Sequence, residues 1–175
     1  MKLRTIIGYG MLALLTILYF VPKENLYYQL EHILQPYGIV IHNEHLDDKK
    51  LWLEITQAKL YVKKLESMQI EKTRIMLFGI HNQIDLQGIT LASTLGQFVP
   101  NKIETAKLSH TFYDPLNITG EISGKFGQAE VNFDLYNKVF SAKIEPSKLM
   151  KYKFRTTLEN FTRDAKGVYQ YEYRF

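Results

Sequence analysis

Apolar and polar positions alternate along this chain with three different periods, and each period predicts a different element. The first run, Thr5 to Val21 (TIIGYGMLALLTILYFV), carries no charge at all. As a helix it spans roughly 25 Å at ~1.5 Å per residue, within the range of one membrane pass. Lys2 and Arg4 precede it with no acidic residue beside them, so the positive-inside rule places the N-terminus in the cytoplasm and exports the rest. Lys23, at the far end, is followed by Glu24 and can snorkel to the headgroups. A cleavable signal peptide needs small residues at its processing site. Here Leu18-Tyr19-Phe20-Val21-Pro22 fills those positions, so an uncleaved anchor is expected.

The next period is helical and short. Leu26, Leu30, Ile33 and Leu34 recur at three- and four-residue spacing behind Asn25 as N-cap, which predicts a helix over 26–35. Pro36 stops it and Gly38 permits the turn into a strand.

From Gly38 to Pro146 the period is two. Ile39-Val40-Ile41 opens the first strand, and Asp47-Asp48-Lys49-Lys50 reads as a charged turn. Leu51, Leu53 and Ile55 alternate in one parity and Leu60 and Val62 in the other, so a bulge or break is expected between Thr56 and Ala58. Met68 and Ile70 give way in the same manner to Ile75 and Leu77. Further strands are predicted over 83–91, 102–112, 116–123, 128–135 and 139–144, separated by the turn chemistry of Pro100-Asn101, Asp114-Pro115, Gly124-Lys125-Phe126-Gly127 and Asn137-Lys138. Spacings of about 8–14 residues predict an antiparallel meander with one wet face.

Met150, Phe154, Leu158 and Phe161 restore a helical spacing between Ser147 as cap and Gly167 as stop. Tyr169, Tyr171, Tyr173 and Phe175 close the chain in strict alternation, as a strand. The expected fold is mainly β, of the α+β kind: a transmembrane helix, then a curved antiparallel sheet with two peripheral helices. Residues 1–22 form the cytoplasmic tip and anchor, 23–37 a juxtamembrane helix, and 38–175 a periplasmic domain.

Composition narrows the function classes. Of 175 residues none is cysteine, which removes disulfides, thiolate metal sites and a cysteine nucleophile. The net charge is +4, and setting aside Lys2 and Arg4 leaves 20 basic against 18 acidic residues with no basic block; nucleic acid is not an expected partner. The 12 Tyr and 10 Phe suit a β-rich core held by burial alone.

Candidate chemistry is sparse. His42 and His45 flank Glu44, but residues three apart on a strand point to opposite faces, so no metal is expected. His81 and His110 stand singly. Gly120, Gly124 and Gly127 superficially suggest a phosphate loop, yet Phe126 follows the Gly-Lys where Ser or Thr is needed, and a strand comes next. These glycines read as hairpin or bulge positions. No catalytic or cofactor-binding residue is assigned. The closing YQYEYRF leaves a small outer-membrane β-barrel open as an alternative.

The order of elements, with PYGIVI, LWLEITQAKLYV and DPLNITGEISGKFGQAEVNFDLYNKVFSAKIEPS, resembles type II secretion system protein N and the related AsmA-like envelope proteins. The "P…G.FG…vdL…v…l.ps" pattern falls on Pro115, Gly124, Phe126, Gly127, Leu135, Val139 and Pro146, with Glu130 where that family has a glycine. The resemblance implies a non-enzymatic periplasmic protein whose sheet contacts acyl chains or partner subunits in a secretion or lipid-transport system.

The expected function is therefore a single-pass inner-membrane scaffold or lipid-contacting module of a Gram-negative envelope, with membrane lipids and envelope proteins as partners. Leu53, Ile55, Leu60, Val62, Ile84 and Leu86 would line its apolar face, either as an open groove or as a closed core. The alternatives are a lipopolysaccharide-export-type β-jellyroll, the small barrel, and an envelope hydrolase using His42, His45, Asp47 or Asp85.

Overall fold

The computed structural model describes residues 3–20, 22–165 and 167–175. Two helices, α1 (Leu3–Phe20) and α2 (Lys23–Leu34), and a 3-10 turn (Gln35–Tyr37) lead into one antiparallel sheet. Its strands are β1 (Ile39–His42), β2 (His45–Asp48), β3 (Leu53–Val62), β4 (Leu65–Leu77), β5 (His81–Leu91), β6 (Lys102–Thr111), β7 (Asp114–Gly124), β8 (Gly127–Asp134) and β9 (Val139–Pro146). After helices α3 (Lys148–Lys153) and α4 (Arg155–Leu158) come β10 (Thr162–Arg163) and β11 (Tyr169–Arg174).

The order is β1-β3-β4-β5-β6-β7-β8-β9-β11-β10, with β2 continuing the β1 edge along β3. The protein is thus mainly β, a meander of neighbouring hairpins. The order is open, with β1 and β2 at one edge and β10 at the other, so among the described residues the strands form neither a closed barrel nor the double sheet of a jellyroll.

Among the described residues no helix is long and apolar enough to cross a membrane. Lys2 and Val21, on which the expected orientation and the end of the apolar run partly rest, lie outside the described residues. Within α1, Ile6, Ile7, Tyr9, Leu12, Leu15, Ile17 and Phe20 are all exposed.

Several element boundaries differ from the sequence reading, among them the start of β7 at Asp114, where Asp114-Pro115 was expected as a turn. Helix α2 starts at Lys23, two residues before the expected cap: Pro22 holds the N-cap position and its carbonyl accepts the Asn25 N–H at 3.2 Å. Asp47 and Asp48 belong to a strand rather than to a charged turn, because Asp47 pairs with Glu54 and Asp48 with Leu53. The turn itself is Lys49–Trp52, with Lys50 at φ 68°.

The expected helix over 147–167 is replaced by two short ones. Ser147 does cap, accepting the Met150 N–H at 3.1 Å, but Phe154 takes φ −121° and ψ 32° and breaks the run. Phe161 lies past the second helix, and Gly167, at φ 85°, turns the β10–β11 hairpin instead of ending a helix. The preceding Lys166 lies outside the described residues. The break lets Met150 and Leu158 bury against Phe126 and Ala129.

The parity change read from the sequence is a property of several strands at once. Inward-facing residues jump by three, from Ile55 to Ala58, Ile70 to Thr73, Leu86 to Ile89 and Ile103 to Ala106. These jumps fall on one row, so β3, β4 and β5 keep their mutual register through it. Gln57 and Gly88 supply the turn of the backbone with φ 60° and 64°. Strand β7 has no such extra residue, and the mismatch appears as a register shift between Ile103 and Thr105. The row is a crease running across the sheet.

Candidate functional site

Directly paired residues on neighbouring strands project from the same face, so the register defines rows that cross the sheet. Immediately beyond the crease one row reads Leu46, Ile55, Thr73, Leu86, Ala106, Ile122, Ala129, Ile144 and Tyr169, from β2 to β11. The next reads Leu53, Ile75, Ile84, Leu108, Gly120, Val131, Ala142 and Tyr171. At ~4.8 Å between strands this is an apolar stripe roughly 40 Å long. Gly120 lets the stripe close up, since a Cβ there would meet Leu108 Cδ2 and Val131 Cγ2, each at 2.7 Å.

The stripe is covered at its two ends and less so between them. Tyr27 of α2 packs with Leu53, Ile55 and Ala58 at one end. Burial and the nearby Glu44 and Glu31 carboxylates push the Tyr27 phenol far above its ordinary range. At the other end Met150, Phe154 and Leu158 cover Phe126, Ala129 and Ile144, and the Thr157 hydroxyl donates to the Phe98 carbonyl at 2.6 Å, tying α4 to the segment before β6. Between these lids Ile84, Leu108 and Val131 are only half-buried, as are Ile118, Phe133 and Phe140 one row further on. The Phe133 and Phe140 rings meet at a tilt of 43° with centroids 4.9 Å apart.

The six residues expected on the apolar face do share it, because the crease reverses the parity between Ile55 and Leu60. Their exposure differs. Leu53 (1%) and Ile55 (4%) lie in closed core under Tyr27, and Leu86 packs against the Ile70–Ile89–Ala106 cluster. Leu60 pairs with Ile41 and Met68 on the far side of the crease, and Val62 pairs with Ile39. Ile84 alone of the six falls in the uncovered middle.

The residues carrying the family resemblance separate into two groups. Gly124 faces Gly127, Gly127 faces Pro146, and Phe126 between them is buried, so four of them build the β7–β8 hairpin and its contact with β9. Gly127 has φ 121° and a Cβ there would meet the Ser147 nitrogen at 2.8 Å. Pro115, Leu135 and Val139 lie at the opposite end of the same strands.

The other face of the sheet is charged. One row runs Glu54, Arg74, Asp85, Lys107, Glu121, Glu130 and Lys143, so that Asp85 sits between two cations and the facing Glu121 and Glu130 each have a lysine on the outer side. Arg74 also lies over the Trp52 ring, 5.3 Å from its centroid. Hollows of about 380 and 430 Å³ lie on this face, lined largely by these side chains and by Ser109, Thr119 and Gln128. His42, His45, Asp47 and Asp85 are spread over β1, β2 and β5, and among the described residues no three His, Asp or Glu side chains gather as a metal site.

The open middle of the stripe was missed at the sequence level in Leu108, Val131, Phe133 and Phe140. Their alternation was visible, but only the register shows that they share one surface with Ile84. The chain matches no protein family, no curated protein and no solved structure.

Proposed function

We propose that the protein is a non-enzymatic, membrane-attached envelope component whose sheet contacts acyl chains. The observation that carries this reading is the half-buried stretch Ile84–Leu108–Val131, with Ile118, Phe133 and Phe140 beside it, between two ends that are capped. An apolar stretch left half-buried is surface that a contact would complete, and burial at ~25 cal/mol per Å² would supply the affinity without directional chemistry. The attachment is assigned to residues 5–21, whose described side chains are uncharged and whose large apolar ones are exposed on all sides of α1. In the single-pass orientation favoured by the basic N-terminus, the sheet stands in the periplasm of a Gram-negative cell. There it would serve a secretion or lipid-transport system, as the resemblance to type II secretion system protein N and AsmA-like proteins implies.

The test is site-specific photocrosslinking in cells. A photoreactive amino acid at Leu108 should give lipid adducts detectable by mass spectrometry, and the same group at Lys107, on the charged face, should not. Adducts at Leu108 that contain only protein would make the stripe a subunit interface. Alkaline phosphatase fused after Phe175 tests the orientation, since it is active only outside the cytoplasm.

A further inference from the structure

The turns at one end of the sheet differ in kind from those at the other. The β2–β3 turn presents Leu51 beside a half-buried Trp52, the β4–β5 turn Ile80 beside a half-buried Phe78, the β6–β7 turn Phe112 and Tyr113, and the β8–β9 turn Leu135 and Tyr136. Register puts all of them at one end, because Leu77 faces Asn82, Thr111 faces Asp114, Asp134 faces Val139 and Asp48 faces Leu53. Arg174 faces Val139, which adds Tyr173 and Phe175 to the same rim. The tips stand in solvent, Tyr113 at 84% and Tyr136 at 77% exposure. The opposite end is tipped by Lys63-Lys64 and Lys125 and exposes Leu65, Leu95 and Phe98, with Tyr37 of the 3-10 turn and Tyr152 of α3 in the segments that enter and leave the sheet there.

We infer that this aromatic rim docks the end of the sheet onto the headgroup region of a lipid bilayer. Amphipathic rings beside cations are the composition of membrane-interface anchors. Lys50 precedes Leu51-Trp52 and Lys138 follows Tyr136 by two residues, so these two tips set a cation where anionic headgroups would meet it, while the neighbouring Lys49 and Arg174 are paired with Asp47 and Glu172. Helix α2 begins on the rim side of the sheet. Helix α2 leads up to β1, whose Ile39 faces Val62 at the lysine-tipped end, while Tyr27, in its first half, packs on Leu53 and Ile55 towards the rim. Residues 5–21 therefore join the domain on the rim side; this last argument rests on the proposed membrane attachment of that segment. A protein partner would need a complementary surface, whereas a bilayer accepts a row of tips differing in sequence.

The absence of cysteine makes the test direct. Tyr113→Cys, Tyr136→Cys and, at the opposite end, Lys64→Cys are each labelled with a polarity-sensitive dye in the full chain, reconstituted into phosphatidylethanolamine–phosphatidylglycerol vesicles and floated. The dyes at 113 and 136 should shift to the blue, be quenched by lipid-borne nitroxide, and show a several-fold lower iodide quenching constant than the dye at 64. Equal iodide access at all three positions in protein that floats would overturn the rim and leave the anchor standing. Protein that fails to float would overturn both. Shielding of 113 and 136 that appears only when envelope protein is added would assign the rim to a partner and overturn the bilayer reading.

Discussion

Gln57 and Gly88 lie on one row of the sheet, on the strands either side of Glu71, and both hold a left-handed backbone, at φ 60° and 64°. Glycine adopts that conformation freely, and glutamine does so at a cost. The Glu71 side chain lies against Gly88, where an added Cβ would meet Glu71 Cγ at 2.7 Å. The crease is therefore built from one permissive residue, one strained residue and a carboxylate side chain laid across the gap.

Gly88→Ala should destabilise the fold by about 1–3 kcal/mol, from the disfavoured φ together with the crowding of Glu71. Urea unfolding monitored by the single tryptophan, Trp52, measures it. Adding Glu71→Ala should recover the steric part and leave the backbone part. If Gly88→Ala is neutral, the crease is not held by this glycine.

Met150 is almost completely buried, at 1% exposure, beneath α3 and against Phe126 and Leu158. Met150→Ala should cost about 2–5 kcal/mol through the cavity it leaves, whereas Ser147→Ala, which removes the cap on the same helix and the hydroxyl's bond to the Lys125 carbonyl, should cost about 1–2 kcal/mol. Equal losses for the two would mean that α3 does not seal that end of the stripe.

The sheet was legible in the sequence because each strand alternates locally. The period of two in Gln128–Leu135 or Val139–Ile144 needs no partner to be seen, and the parity change at Gln57 showed as a change of phase between Ile55 and Leu60. What could not be read locally was whatever depends on pairing. His45–Asp48 has too few apolar residues to announce a strand and is one because β3 supplies its hydrogen-bond partners. The helical spacing of Met150, Phe154, Leu158 and Phe161 was real, but Phe154 packs against the sheet through a break that periodicity does not record. The aromatic rim was hidden for the same reason, since its members are up to 124 residues apart, from Leu51 to Phe175, and only register brings them to one end.

Acid should loosen the sheet through particular carboxylates. The Lys72 ammonium, 2.9 Å away, holds the Glu54 carboxyl below the ordinary 4.5, and hydrogen bonding from Gln69 does the same for Glu66. The backbone N–H and side-chain amide of Asn137 hold Asp134 below 3.8. Each folded-state value is depressed, so the stabilisation is complete above the unfolded value and is lost as pH falls through the folded one. The urea midpoint should decline from about pH 4.5 downward, and Glu54→Gln should flatten part of that decline while leaving the slope near neutrality unchanged. An identical acid slope in the variant would show that the Lys72 contact contributes nothing.

The last prediction separates an open stripe from a closed core by placing the same charge at two positions. Leu53 and Val131 belong to one row, but Leu53 is sealed under Tyr27 and Val131 is half-buried. A carboxylate at Leu53 would have neither water nor a partner, so Leu53→Asp should cost more than about 4 kcal/mol and leave little folded protein. Val131→Asp can keep its charge in water when no lipid is bound, and should cost only about 1 kcal/mol by thermal unfolding in detergent solution. In cells the same Val131→Asp change should abolish lipid adducts formed from a photoreactive group at Leu108, because an acyl chain lying there would have to desolvate the new charge. Severe destabilisation at both positions would mean that the stripe is ordinary core. Mild destabilisation at Val131 with adducts undiminished would place the acyl chain away from β8.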